Sequence, residues 1–171
     1  MKEKCVGVRI VRVSSLQQVK ALAGLASRIW HEYFVRIISP QQIDYMLEKF
    51  QSEAALTAQL REGYEYYFLL CDGIGAGYFG IRPQDGRLFL SKLYVDADFR
   101  GRGLSSVAFD FMEGLCRERG LSSIWLTVNR HNDHTVGVYL HRGFRVVEEK
   151  VADIGAGFVM DDFIMERVLS R

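Results

Sequence analysis

The stretch VDADFRGRGLSS, residues 95–106, decides the fold. Before it lies RLFLSKLYV, residues 87–95, whose β-branched and aromatic character reads as a strand ending at Val95. After it, Leu104, Val107, Ala108, Phe111 and Leu115 recur at helical spacing. Between strand and helix sit Arg100, Gly101, Arg102 and Gly103. The first turn of a helix carries N–H groups without intrahelical partners, at the positive end of the helix dipole. Glycines let a ligand approach that backbone, and arginines supply cations matched to phosphate oxygens. The junction predicts a pyrophosphate site.

Upstream, VGVRIVRV (6–13) alternates as a strand, and two helices follow. The first carries Leu16, Val19, Ala23, Ala26, Trp30 and Tyr33 on one face, with Ser15 and Gln18 as a capping box. The second opens on Ser39, Pro40 and Gln42, carries Ile43, Met46, Leu47 and Phe50, and ends before Gly63. YEYYFLLC (64–71), IGAGYFGI (74–81) and RLFLSKLYV, joined by DG and PQDG turns, predict an antiparallel meander. Downstream of the helix after Gly103 come a strand SSIWLTV (122–128), a short helix near Asp133–Arg142, and two strands, FRVVEEKV and FVMDDFIMERVL, joined by the Gly155–Gly157 loop. No linker or repeat interrupts the 171 residues, which suit one domain, 1–171, burying roughly two thirds of its unfolded surface.

The formal net charge of +1, without a local basic tract, argues against nucleic acid and anionic membranes as partners. No apolar run approaches a membrane span, and MKEKCVGVRI lacks the features of a signal peptide, so a cytoplasmic location is expected. Cys5, Cys71 and Cys116 have no metal-ligand spacing and are expected as reduced core thiols, with no metal.

The RGRG junction resembles the acetyl-coenzyme A signature R-x-x-G-x-G/A of the GNAT N-acetyltransferase superfamily, with Ser105 in place of the last Gly or Ala. A second stretch, NRHNDHTVGVYLHRGF (129–144), is similar to the family's N-x-x-A-x-x-x-Y-x-x-x-G-F pattern through Asn132, Tyr139, Gly143 and Phe144, with Thr135 where alanine is usual. The order of elements resembles the family along nearly the whole chain. This implies an α+β fold with a twisted, mostly antiparallel central sheet, splayed at the coenzyme site and flanked by helices on both faces.

The resemblance also implies roles. Arg100, Gly101, Arg102, Gly103, Leu104 and Ser105 would hold the pyrophosphate of acetyl-CoA, the co-substrate. The backbone of Leu93, Tyr94 and Val95 would pair with the pantetheine amides, Asn132 would contact that arm, and Tyr139 would be the catalytic acid facing the sulfur. The acceptor would be a small-molecule primary amine. The stretch IISPQQIDYMLEKFQSEAALTAQL and the terminal FVMDDFIM look like parts of bacterial polyamine acetyltransferases. A peptide N-terminus, a non-catalytic coenzyme-binding module and a homodimer stand as alternatives.

An alkylammonium costs about 4–5 kcal/mol to deprotonate at pH 7, so a base is expected. Many relatives place a glutamate on the fourth strand, where this chain has Ser91 and Lys92. Glu32, Asp161 and Asp162 are the remaining candidates. A β-bulge near Val95 would splay the strand and aim an amide at the thioester carbonyl. His131, His134 and His141 cluster around Asn132 without metal-ligand partners.

Overall fold

The computed structural model describes residues 2–170. Strand β1 (Val8–Arg12) leads into helix α1 (Leu16–Tyr33), then α2 (Pro40–Gln51) and α3 (Glu53–Arg61). The meander follows as β2 (Glu65–Cys71), β3 (Ile74–Gln84) and β4 (Arg87–Val95). Helix α4 (Leu104–Arg119), β5 (Ser123–Asn129), α5 (Asp133–His141), β6 (Arg145–Gly155) and β7 (Phe158–Val168) complete it. The strands form one seven-stranded sheet in the order β1-β2-β3-β4-β5-β7-β6. Only β4 and β5 pair in parallel; the other neighbours are antiparallel.

Local chemistry explains the elements. Ser15 and Gln18 form a reciprocal capping box at the start of α1. Ser39 caps α2, with Pro40 at the first helical position. The meander turns use Asp72–Gly73 and Asp85–Gly86, all four at positive φ, the geometry that matches strand twist in two-residue hairpins. The second helix of the sequence reading is in fact two. Ser52 leaves helical geometry, and its hydroxyl accepts from the N–H of Ala55, so it caps α3 directly after α2 ends.

The largest apolar cluster lies between the sheet and α4, built on Leu69, Phe79, Ile81, Leu88, Leu90, Phe109 and Met112. A second cluster packs α1 and α3 on the opposite face through Leu22, Ala26, Ile29, Leu56, Tyr66 and Tyr78. A third seats α1 and α2 over the β6–β7 hairpin. No helix among the described residues is long and apolar enough to cross a membrane.

Two expectations need correction. Cys5 and Cys71, read as reduced thiols, are joined as a disulfide. Pairing of β1 with β2 sets Val8 opposite Cys71, and reciprocal hydrogen bonds between Gly7 and Asp72 hold the segment before β1 against the end of β2. Cys116 is a free, buried thiol, and burial pushes its pKa up to about 11. The bulge in β4 lies at Ser91 rather than near Val95: Gly80 pairs with Lys92 and Ile81 with Leu90, which leaves Ser91 as the extra residue.

Candidate active site

Strands β4 and β5 pair only over Leu88–Leu90 against Ile124–Leu126. Beyond Leu90 they part, leaving the β5-facing backbone edge of Ser91–Val95 without a strand partner. The gap opens into a cleft of about 340 Å³ floored by Leu90–Val95, Leu126 and Thr127. Helices α4 and α5 wall one side, and Ile29, Tyr33 and Phe34 close the other.

Helix α4 presents its N-terminus to this cleft. Gly101 and Gly103 have φ of 78° and 87°, in the left-handed region that favours glycine. Gly103 is the N-cap and supplies no side-chain bond, so the first-turn N–H groups keep their capacity for an anion. A Cβ built at either glycine meets nothing within 4 Å, and Ser105 and Ser106 line the same opening. These features fit a phosphate-bearing arm. The Leu104 side chain is buried in the core.

The two arginines differ. Arg100 lines the cleft; its Nε donates to the Val95 carbonyl at 2.9 Å and its NH1 and NH2 groups engage Glu32 at 3.3 and 2.7 Å. Arg102 stands outside the cleft lining, donating to the Asp98 carbonyl at 3.1 Å and covering the Phe99 ring.

On the far wall Asn132 is buried, and its Oδ1 accepts the Tyr33 hydroxyl at 2.6 Å. The same hydroxyl lies 2.9 Å from Thr135 Oγ1. Sequence reasoning counted Tyr33 only as part of a helix face; its place at the last position of α1, opposite the second motif, was the signal available. Tyr139 is buried against Phe109 and Phe144. Burial, with a smaller contribution from Tyr33, holds its phenol well above the usual range, so it remains a proton donor at physiological pH.

The candidate bases separate clearly. Glu32 is committed to Arg100, and Asp161 to Arg130 at 2.6 Å with His131 at 3.7 Å. Asp162 is buried, and burial followed by the neighbouring Asp161 pushes its carboxyl up to about 6. Lys92, missed as a functional group by the sequence reading, is buried beside the cleft, and burial lowers its pKa to about 7. His134 and Thr135 line the cleft; His131 is exposed on its Asp161 side. Among the described residues, the grouping of Cys, His and carboxylate atoms tight enough for a metal is Cys5, Cys71 and Asp72, whose two sulfurs are consumed in the disulfide.

A splayed strand pair facing an uncapped helix start is the frame of an acetyl-CoA enzyme, and the chain belongs to the GNAT acetyltransferase family, whose profile matches residues 25–144. It is an acetyl-CoA-dependent N-acetyltransferase. An uncharacterized N-acetyltransferase from the pepI 3′ region of Lactobacillus delbrueckii subsp. lactis is 30% identical to it over 95% of this chain and 98% of that protein. Solved structures share the fold, among them the two that follow. The PaiA N-acetyltransferase of Thermoplasma acidophilum, in complex with coenzyme A, superposes with a TM-score of 0.79 at 19% identity, over 96% of this chain and 100% of that one. An acetyltransferase of Thermus thermophilus gives 0.68 at 20% identity, over 97% and 99%.

Proposed function

We propose that the protein moves an acetyl group from acetyl-CoA directly to a primary amine of a small molecule, and that the acceptor is a polyamine. The observation that carries direct transfer is the convergence of three features in one cleft: the unpaired edge of Ser91–Val95, the uncapped start of α4 and the buried Tyr139 hydroxyl. The backbone of Leu93, Tyr94 and Val95 would hold the pantetheine arm as an added strand, with Asn132 beside it. Gly101, Gly103, Leu104 and Ser105 would bind the pyrophosphate through backbone N–H groups, assisted by Arg100 once its hold on Glu32 is shared. Tyr139 would donate to the sulfur as negative charge develops there.

The polyamine assignment is supported by carboxylates on the side of the sheet opposite α4. Asp44 and Glu48 are exposed on α2, and Asp162 is buried on β7, whose neighbouring Met160 packs beneath α1 and α2. Such an arrangement favours a polycation.

A thiol-release panel at low and at about 0.15 M ionic strength tests the reading. Spermidine and spermine are expected to exceed neutral monoamines and peptide N-termini, with kcat/KM falling steeply as salt rises. Equal turnover without salt dependence overturns the polyamine assignment. No thiol release with any amine overturns transfer to a small amine.

A further inference from the structure

Three residues stand in one row across the meander: Tyr66 of β2 pairs with Gly80 of β3, and Gly80 with Lys92 of β4. Gly80 leaves the middle of that row without a side chain. A Cβ there would come within 2.5 Å of Tyr66 Cε1, so the phenol ring lies over the glycine. Its hydroxyl thereby reaches Lys92 Nζ at 2.5 Å. Gln59 of α3 completes the nest, its Oε1 lying 3.0 Å from Nζ and accepting the Tyr66 hydroxyl as well. Ser91 Oγ is 3.4 Å away, and both Ser91 and Lys92 line the cleft.

A lysine kept for structure is normally solvated or paired with a carboxylate. Lys92 is only 8% exposed, and its hydrogen-bond partners are two hydroxyls and an amide oxygen. The titratable groups shown near its Nζ are Tyr66 and Tyr64, with ring centroids at 5.1 and 6.0 Å; beyond them, Arg82 of β3 lies over the Tyr64 ring, and Tyr78 of β3 and Tyr94 of β4 interact with Tyr66. Burial holds the phenols of Tyr66, Tyr78 and Tyr94 above their usual range, so none supplies an anion to stabilise an ammonium.

We propose that Lys92 is the general base of the transfer, its uncharged amine taking the proton that the acceptor ammonium must lose before attack. The proposal rests on acetyl transfer to a small amine as read above. Because burial brings Lys92 to about 7, a large share is free amine at neutral pH, and a base of that strength suits the operating pH. The acceptor ammonium passes one proton to Lys92 Nζ and becomes an amine. Its lone pair forms the C–N bond to the thioester carbonyl carbon as the C–S bond breaks. Sulfur leaves with the Tyr139 hydroxyl proton, while the second nitrogen proton returns through water to the Tyr139 oxygen. Lys92 then releases its proton to solvent, so that ammonium and thioester give amide, thiol and one proton. In its charged form Lys92 can neither accept a proton nor tolerate a cation beside it, so the neutral form alone is active.

Two measurements on the full chain test this. NMR of isotopically labelled lysine, with Lys92 assigned through Lys92→Met, is expected to show one Nζ titrating near 7; titration near the ordinary lysine value overturns the proposal. With the best acceptor, kcat/KM is expected to fall about tenfold per pH unit below 7. Lys92→Met should lose that limb and at least about 100-fold in kcat/KM at pH 8, with acetyl-CoA affinity within about twofold. Lys92→Glu should restore part of the rate with the limb moved to lower pH, an outcome that a purely structural lysine would not produce. Turnover with an unchanged limb in Lys92→Met refutes the base assignment alone. Absence of turnover in the unaltered protein refutes the reading beneath it.

Discussion

The two faces of the sheet are built on different terms. Toward α4 the packing is apolar, and the groups proposed to meet the coenzyme are backbone: the open edge of Ser91–Val95 and the first turn after Gly103. Toward α1–α3 the chain buries Gln51, Lys92 and Asp162, and it links phenols to amides, with Tyr66 donating to Gln59 and Tyr78 to Gln51. Burying such groups costs stability unless each is bonded or neutral. One face therefore offers a ligand the shape of its main chain, and the other holds ionisable side chains in a setting that changes their proton affinity.

The sharpest test of the contrast is Tyr139→Phe, at the end of the cleft walled by α4 and α5. It keeps the ring and its packing, so coenzyme affinity should hold while kcat falls about 100-fold or more. An unchanged kcat on a good acceptor makes Tyr139 a packing residue. Gly103→Val comes next. Valine is strained at a φ of 87°, so the first-turn N–H groups lose their aim and acetyl-CoA affinity should drop about ten- to a hundredfold by calorimetry. If affinity is retained, backbone recognition is not what that face does.

The smallest effect belongs to the α1 side. Asp162 sits at about 6 in the folded chain against an ordinary 3.8, so the native state holds its proton where the unfolded chain has lost it. Stability from this group therefore falls as pH rises from about 4 to about 6 and stays reduced above that window. Asp162→Asn should gain about 1–2 kcal/mol at pH 7 and nothing near pH 3, by urea unfolding at both values. A variant that is destabilised at pH 7 would show that the carboxylate is held by partners rather than tolerated.

The same contrast explains what could be read in the sequence. Gly101 and Gly103 were legible because a left-handed backbone next to a helix start leaves a residue-type signature, and the Asp-Gly turns were legible for the same reason. The order of strands and the long helices followed from periodicity. The division of α2 from α3 also left a trace, in Ser52 as a cap, but the apolar pattern on either side masked it. The disulfide left none: 66 positions separate Cys5 from Cys71, and only the pairing of β1 with β2 unites them. Asp162 was named as a candidate among other carboxylates, yet its burial depends on α1 and α2 packing over β7, a contact invisible along the chain. Lys92 was hidden most completely, because counting alternate residues along β4 from Leu90 assigns it to the wrong side.

That miscount belongs to the bulge. A strand behaves like a two-letter code in which odd and even positions address opposite faces. Ser91 inserts one extra letter, so Leu88 and Leu90 address α4 while Lys92 and Tyr94 address α1–α3. The bulge is a frameshift in space: were Ser91 read as an ordinary paired letter, Lys92 and Tyr94 would fall on the α4 side and Leu93 and Val95 would turn toward Gln59 and Tyr66. Deleting Ser91 would instead set Lys92 directly after Leu90, still opposite Gly80 and still on its present face.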